Sequence, residues 1–208
     1  MKKNIYLVDH PLVKLKLSEL RDIHTEAPAF RRRLQEISLL LAAKALQDLP
    51  IEETEIQTPL TKTKGAKLAR PITIVPILRA GLGMAESIAS LLPQAAIGHI
   101  GMYRDEETLE PKPYYFKMPP NFKESLVVLV DPMLATGNSV IEAVAQMQKH
   151  GAKEIRLICI ISCPEGIQAI TQAYPELPVT VGAIDEKLNE KAYIVPGLGD
   201  AGDRYFGT

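Results

Sequence analysis

The stretch that most constrains this chain runs from Val127 to Val140 and reads Val-Val-Leu-Val-Asp-Pro-Met-Leu-Ala-Thr-Gly-Asn-Ser-Val. Val127 to Val130 are apolar without alternation, the pattern of a strand buried on both faces. An acid, Asp131, stands where that strand would emerge. A turn of small and hydroxyl residues follows (Ala135, Thr136, Gly137, Asn138, Ser139), and Val140 to Lys149 is helix-like. A strand that feeds such a turn into a helix N-terminus makes a phosphate cradle. Turn N–H groups point at the anion, the helix dipole favours negative charge, and the two hydroxyls add hydrogen bonds. Asp131 at the rim is placed to hold ribose hydroxyls or a magnesium ion. The plainer alternative is an ordinary crossover in which Thr136 or Ser139 caps the helix.

The rest of the chain predicts an α/β fold around that strand. Helical patterns cover about Pro11 to Arg21 and about Pro28 to Leu49, with Pro28 in the first turn and Pro50 just past the end. Leu34, Ile37, Leu40, Leu41 and Leu46 recur at three- and four-residue steps, as an amphipathic helix requires. The basic run Arg31 to Arg33 suits a solvated face or subunit contact, with a ligand role as the alternative. Strand-like runs follow at Ile51 to Thr58, Ile72 to Leu78, Ala95 to Met102, Leu126 to Val130, Ile155 to Ile161 and Val179 to Ala183. Helix-like segments such as Gly81 to Leu92 lie between them. Such alternation predicts right-handed crossovers and a parallel central sheet flanked by helices, in a single domain over residues 1–208. Ligands of such sheets gather at the carboxyl ends of the strands, where the candidate residues fall. Tyr103 to Asn121 breaks the rhythm with a polar, proline-rich insertion that includes Arg104. It reads as a β-arm or flap over a site, or as an exposed hairpin used in subunit packing.

Composition narrows the function classes. With 24 basic and 25 acidic residues the net charge is −1, which argues against duplex nucleic acid or an anionic membrane as partner. No apolar run is long enough to span a bilayer, and Met1 to Asp9 lacks the apolar core of a signal peptide, so a cytoplasmic location is expected. Cys159 and Cys163 have no second Cys/His cluster and predict buried thiols in a reducing compartment, not a zinc site.

Two more motifs end strands. Pro76-Ile-Leu-Arg79-Ala-Gly81-Leu-Gly83 offers an arginine fork among small residues, suited to a diphosphate or, equally, to a surface salt bridge. Residues Tyr193 to Tyr205 join Pro196, Gly197, Gly199 and Gly202 to two acids, Asp200 and Asp203. A chain end is disordered by default, but Ile194, Val195, Leu198, Tyr205 and Phe206 predict that this one docks.

No lysine follows Gly137 and there is no Gly-x-Gly-x-x-Gly run, so the turn is neither a Walker A loop nor a dinucleotide fingerprint. Asp131-Pro-Met-Leu-Ala-Thr-Gly137 resembles the donor loop of type I phosphoribosyltransferases, in the form found in uracil phosphoribosyltransferases. Leu78-Arg79-Ala-Gly81 and the Tyr193 to Tyr205 segment resemble two other motifs of that family, in the same order. The likeness covers most of residues 10–208. In the family a second glycine usually follows Gly137. Here it is Asn138, the non-glycine that best tolerates positive φ.

The resemblance implies a type I phosphoribosyltransferase fold with a flap over about 103–121 and a base-binding hood over about 193–208. It implies transfer of phosphoribose from 5-phospho-α-D-ribose 1-diphosphate (PRPP) to uracil, giving UMP and diphosphate. Arg79 and Arg104 would hold the diphosphate, Asp131 the ribose hydroxyls, and Pro132, Met133, Leu134, Ala135, Thr136, Gly137, Asn138 and Ser139 the 5′-phosphate end. Asp200 would contact the donor side, and main chain around Tyr193, Ile194, Gly199, Asp200 and Ala201 would read uracil. The catalytic set is then Asp131, Arg79, Arg104 and Asp200. Mg²⁺ is the implied cofactor, carried mainly by the donor diphosphate. A homodimer or larger homo-oligomer is implied, with a purine nucleotide (GTP) as candidate effector.

Uracil's edge presents acceptor, donor, acceptor, which a backbone N–H, C=O, N–H series complements. Cytosine would set an amine against an N–H, and each unpaired buried group costs about 1–3 kcal/mol. Many relatives in the wider fold carry two acids before the loop. Here Val130 takes the first place, so no general base is assigned. A purine phosphoribosyltransferase and an RNA-binding regulator built on this fold are the rival readings.

Overall fold

The computed structural model describes residues 4–104 and 111–208, without the Arg104 side chain; the centre of the expected flap, 105–110, lies outside the described residues. A short strand, β1 (Ile5–Leu7), precedes helices α1 (Pro11–Arg21) and α2 (Ala27–Ala45). An antiparallel hairpin follows, β2 (Ile51–Gln57) and β3 (Lys62–Leu68). Next come β4 (Ile72–Leu78), α3 (Leu82–Leu91), β5 (Ala96–Ile97), β6 (His99–Arg104) and β7 (Pro111–Lys117). Strand β8 (Leu126–Val130) leads through β9 (Met133–Leu134) into α4 (Asn138–Lys149). Then β10 (Glu154–Ser162), α5 (Pro164–Ala173) and β11 (Val179–Ile184) complete the sheet, before the pair β12 (Lys187–Leu188) and β13 (Ile194–Val195) and the final helix α6 (Ala201–Phe206).

The main sheet runs in the order β1-β11-β10-β8-β4-β6-β7, with β5 beside β4 and β9 beside β10. Every pairing is parallel except β6 with β7. All five residues of β8 are buried, and the strand period of two divides them between two cores. Leu126, Val128 and Val130 pack with Leu34, Ile37 and Leu41 of α2 and Met84 and Ile88 of α3. Val127 and Leu129 pack with Val140, Val144 and Met147 of α4 and Ile170 of α5. The expected parallel sheet with helices on both sides is therefore what forms, and its carboxyl edge carries the site.

Several boundaries differ from the sequence reading for local reasons. Helix α2 ends at Ala45, and the Leu46 N–H already bonds back to Ala42 and Lys44; Pro50 disfavours helical backbone at Leu49 and the chain leaves the helix early. The run from Ala95 to Met102 is two strands separated at Gly98, whose N–H bonds to the Ile74 carbonyl at 2.9 Å. The strand predicted over Ile51 to Thr58 is no part of the main sheet. It pairs with β3, whose lysines face its glutamates: Lys62 with Glu55, Lys64 with Glu53, Lys67 with Glu52. These pairs are well exposed and contribute little stability, but they set register. Within the expected arm, β7 forms as an edge strand, where Pro111 and Pro113 are tolerated.

Because β8 is enclosed on both faces, truncation there leaves a cavity that neither layer of helices fills. Leu129→Ala is expected to cost about 3 kcal/mol. Denaturant unfolding checks this; a loss under about 1 kcal/mol would show that the strand is not enclosed.

Candidate active site

Between β8 and α4 the chain makes a short extra pairing. Met133 and Leu134 lie beside Ile161 and Ser162 of β10, and both the Ile160 and Ile161 N–H groups donate to the Pro132 carbonyl, at 3.0 and 3.1 Å. The Ser162 hydroxyl donates to the Leu134 carbonyl at 2.8 Å. The outer side of the loop is thus anchored to the sheet, and its inner residues are free to face a ligand. Underneath, α5 approaches through Gly166, where a Cβ would collide with the carbonyls of Leu134 and Ala135. Gly137 caps α4 with φ +84°, and no side chain caps that end. Positive φ therefore falls on Gly137, while Asn138 is the first residue of the helix and needs no left-handed backbone. That corrects the expectation that Asn138 takes a second glycine's conformation, and explains why asparagine is acceptable there. Thr136 and Ser139 do not cap the helix conventionally; the Thr136 hydroxyl only approaches the Asn138 N–H at 3.5 Å.

This turn walls two adjoining spaces. One, of about 70 Å³ and suited in size to a phosphate, is lined by Asp131, Met133, Leu134, Ala135, Thr136, Gly137 and Ser139. The other is a cleft of about 320 Å³, where Met133, Ala135, Thr136, Asn138 and Ser139 face Tyr193, Ile194 and Asp200. Two motifs far apart in sequence therefore meet across one opening. Asp200 lines the cleft and also caps α6, its carboxylate accepting the Asp203 N–H at 2.9 Å. Tyr103 and Pro111 of the expected arm line the cleft as well, as do Met102, Lys191 and Ala192, which had no assigned role from the sequence. Lys191 and Ala192 precede the recognised Tyr193 segment, which was the available signal. Ala192 has φ +62°, the one non-glycine positive φ among the described residues.

Asp131 sits at the end of β8, only partly exposed, with the Met133 N–H directed at its Oδ1 at 3.4 Å. Burial pushes its carboxyl up to about 7, and that weak backbone contact offsets little of the shift. A carboxylate so poorly solvated is ready for hydroxyl donors or a cation.

Arg79 follows β4 through a cis peptide with Leu78. Its side chain is 57% exposed, and the guanidinium touches Asp203 at 3.4 Å and lies 5.4 Å from the Phe206 ring centroid. The pairing is long and solvated, so it holds the arginine loosely. Arg79, Pro132, Gly199 and Ala201 line neither space. Gly199 (φ +78°) and the buried Ala201 belong to the hood that carries Ile194. That hood docks as expected: Ile194, Leu198 and Tyr205 are buried, and Tyr205 lies against Gly83, where a Cβ would strike its ring. For Arg104, the end of β6 is described but its side chain is not.

Asp131 also sets a stability signature. Its carboxyl is raised in the folded protein, so ionisation costs stability, a cost that grows from the unfolded value near 3.8 to about 7 and is constant above. Asp131→Asn removes that cost. The variant is expected to melt higher than wild type at pH 8 and equally near pH 4, while losing most turnover. A melting difference that does not change with pH would refute the burial argument.

Residues 7–208 match the family Uracil phosphoribosyltransferase. A uracil phosphoribosyltransferase from Staphylococcus epidermidis is 51% identical over 205 residues, 98% of both chains. The AQ2163 protein from Aquifex aeolicus has a solved structure that matches with a TM-score of 0.93 at 39% identity, over 98% of each chain. Adenine phosphoribosyl transferase from Trypanosoma brucei, at 18% identity and a TM-score of 0.59 over 91% of this chain and 87% of that one, shares the fold. Matched along nearly its whole length, the chain belongs to the uracil phosphoribosyltransferase family.

Proposed function

We propose that this protein transfers the 5-phosphoribosyl group of PRPP to uracil, releasing diphosphate and forming UMP, a pyrimidine salvage reaction. The observation that carries the reading is the shared cleft, with a phosphate turn on one wall and the Tyr193 to Asp200 segment on the other. The 5′-phosphate sits at the N-terminal end of α4, held by turn N–H groups and the Thr136 and Ser139 hydroxyls. Asp131 accepts hydrogen bonds from the ribose hydroxyls. Arg79 exchanges its loose contact with Asp203 for the leaving diphosphate, and Arg104 is assigned the same task. Holding both ends of the donor turns remote binding energy into orientation of the anomeric carbon, which becomes oxocarbenium-like as diphosphate leaves. Main-chain groups of the Ile194 to Ala201 segment, of which Ile194 and Asp200 line the cleft, read the base edge, and Met102, Met133 and Tyr193 give it an apolar wall.

Mg²⁺ enters this reading with the donor. Among the described residues no three His, Cys, Asp or Glu side chains gather to hold an ion, and Asp131 with donor oxygens makes an all-oxygen set that suits it. Bound there, the ion supplies charge neutralisation for the leaving diphosphate. Family membership favours uracil over purines, because the purine enzyme from Trypanosoma brucei shares only the fold. The working unit is a homodimer or larger homo-oligomer. Support comes from the hairpin β2–β3, which carries exposed Ile51, Ile56 and Leu60 on an otherwise charged surface. No helix is long and apolar enough to cross a membrane among the described residues.

The test is to supply PRPP and Mg²⁺ with uracil, cytosine, orotate, adenine, guanine or hypoxanthine separately, following nucleotide formation with and without GTP. UMP from uracil alone is expected. Nucleotide from another base would overturn the reading of the hood while sparing the donor turn. Arg79→Ala is expected to lower turnover about 100-fold in a folded protein, and wild-type rates would remove it from the site.

A further inference from the structure

The hood that reads the base is built from residues with little conformational stiffness. Gly197 and Gly199 have φ of +66° and +78°, and the turn between Ile194 and Ala201 has two glycines where side chains would otherwise limit motion. Main-chain recognition has no rotamers with which to correct an error, so its accuracy depends on how firmly the backbone is held. One of the points at which the hood is held from outside is Gly197. Asp185, at the end of β11, accepts the Gly197 N–H through Oδ2 at 2.9 Å. Arg21, the last residue of α1, donates from Nη1 to the Gly197 carbonyl at 2.6 Å. The two side chains also pair with each other, Nη1 to Oδ2 at 2.7 Å and Nη2 to Oδ1 at 2.5 Å.

The arrangement is buried: the side chain of Asp185 is 4% exposed and that of Arg21 24%. Gly197 itself is pressed against the Ile194 carbonyl, where a Cβ would collide, so a displacement at Gly197 passes directly to Ile194. The same corner is tied a second time. Arg204 donates to the Leu198 carbonyl at 2.7 Å and to the Leu20 and Asp22 carbonyls at the end of α1, and its guanidinium lies 4.6 Å over the Phe30 ring. Neither Arg21 nor Asp185 lines the cleft or the phosphate space.

We propose that Arg21 and Asp185 are positioning residues for base recognition: their two-bond pair grips both the N–H and the carbonyl of Gly197 and sets where the Ile194 to Asp200 main chain meets the pyrimidine. The proposal rests on the reading above, in which this segment holds uracil. A buried ion pair is a poor way to gain stability, because desolvation consumes most of the attraction. It is a good way to define one geometry, because a planar guanidinium against a carboxylate has a single best arrangement. The C-terminal position of Arg21 on α1 also suits a cation.

A staple that only stabilises the fold would affect both substrates alike, which separates the two roles. Full-length Asp185→Asn, which keeps shape and an acceptor, and Arg21→Lys, which keeps charge and loses the fork, are compared with wild type. Arg156→Gln is the control, since it breaks an ion pair with Asp48 elsewhere in the protein. Melting temperature, turnover, KM for uracil and for PRPP, and the uracil-to-cytosine ratio of kcat/KM are measured. Both clamp variants are expected to raise the uracil KM about tenfold and narrow the base preference, with the PRPP KM moving less than about twofold. The control is expected to melt lower with neither KM changed. Amide hydrogen exchange from Gly197 to Ala201, faster in both clamp variants and unchanged in the control, reads the clamp without any substrate. If wild type makes no UMP, the functional reading fails and the exchange rates still judge the clamp. Unchanged exchange, or equal rises in both KM values, would overturn the proposal. Should Asp185→Asn not fold, Arg21→Lys decides it by the same criteria.

Discussion

Everything in this molecule depends on one strand being dry on both faces. Leu126 to Val130 divide their side chains between two helical layers, and that burial fixes the height of Asp131, the first residue to leave the sandwich. From that point the chain can only turn, and the turn is held on its outer side by β10 and from beneath by α5 through Gly166. The N-terminal end of α4 then arrives at a set distance from Asp131 because the loop between them has no slack. A phosphate-binding turn is weak chemistry in itself; rigid placement beside a carboxylate makes it a site.

That placement has a cost, visible at Asp131. A carboxylate pushed up to about 7 by burial is an unfavourable element of the free protein at neutral pH. Under the proposed function it is relieved when ribose hydroxyls or a cation arrive, so the free energy lost in folding would reappear as affinity for the donor. Arg79 shows the complementary economy. Its contact with Asp203 is long and solvated, which keeps the guanidinium near the opening without binding it tightly enough to compete with a diphosphate.

The parts of this design that follow from local pattern were legible in the chain itself. The unbroken apolar run of β8, the helical periodicity of α1 and α2, and the strand–turn–helix at Asp131 to Ser139 led to a parallel sheet and to most of the cleft lining. What escaped was non-local. Strand β3, Lys-Thr-Lys-Gly-Ala-Lys-Leu, has no apolar alternation and becomes a strand through its antiparallel backbone pairing with β2, with lysines placed near that strand's glutamates. Strand β7 carries prolines that a central strand would not accept, and its edge position was invisible without the sheet order. Lys191 and Ala192 reach the cleft because the β12–β13 turn folds back over it. The need for a second glycine after Gly137 could not be settled from composition, which does not give φ at one residue; the helix begins two residues sooner than expected.

The same distinction bears on base recognition as proposed above, which would draw on distant residues. A side chain that reads a ligand carries its specificity with it and is found by motif. A main chain that reads a ligand carries none, since every residue but proline offers the same N–H and C=O. Its specificity lies in whatever fixes the backbone, which here comes from α1 and β11, parts of the chain with no contact to the cleft. Arg21 and Asp185 are separated by most of the sequence and resemble ordinary surface residues when read singly. Only the fold shows that they close on the two polar groups of one glycine. On the proposed reading, selectivity by backbone makes the far ends of the protein part of the site, and a substitution at the end of the first helix would act on the base pocket through Gly197.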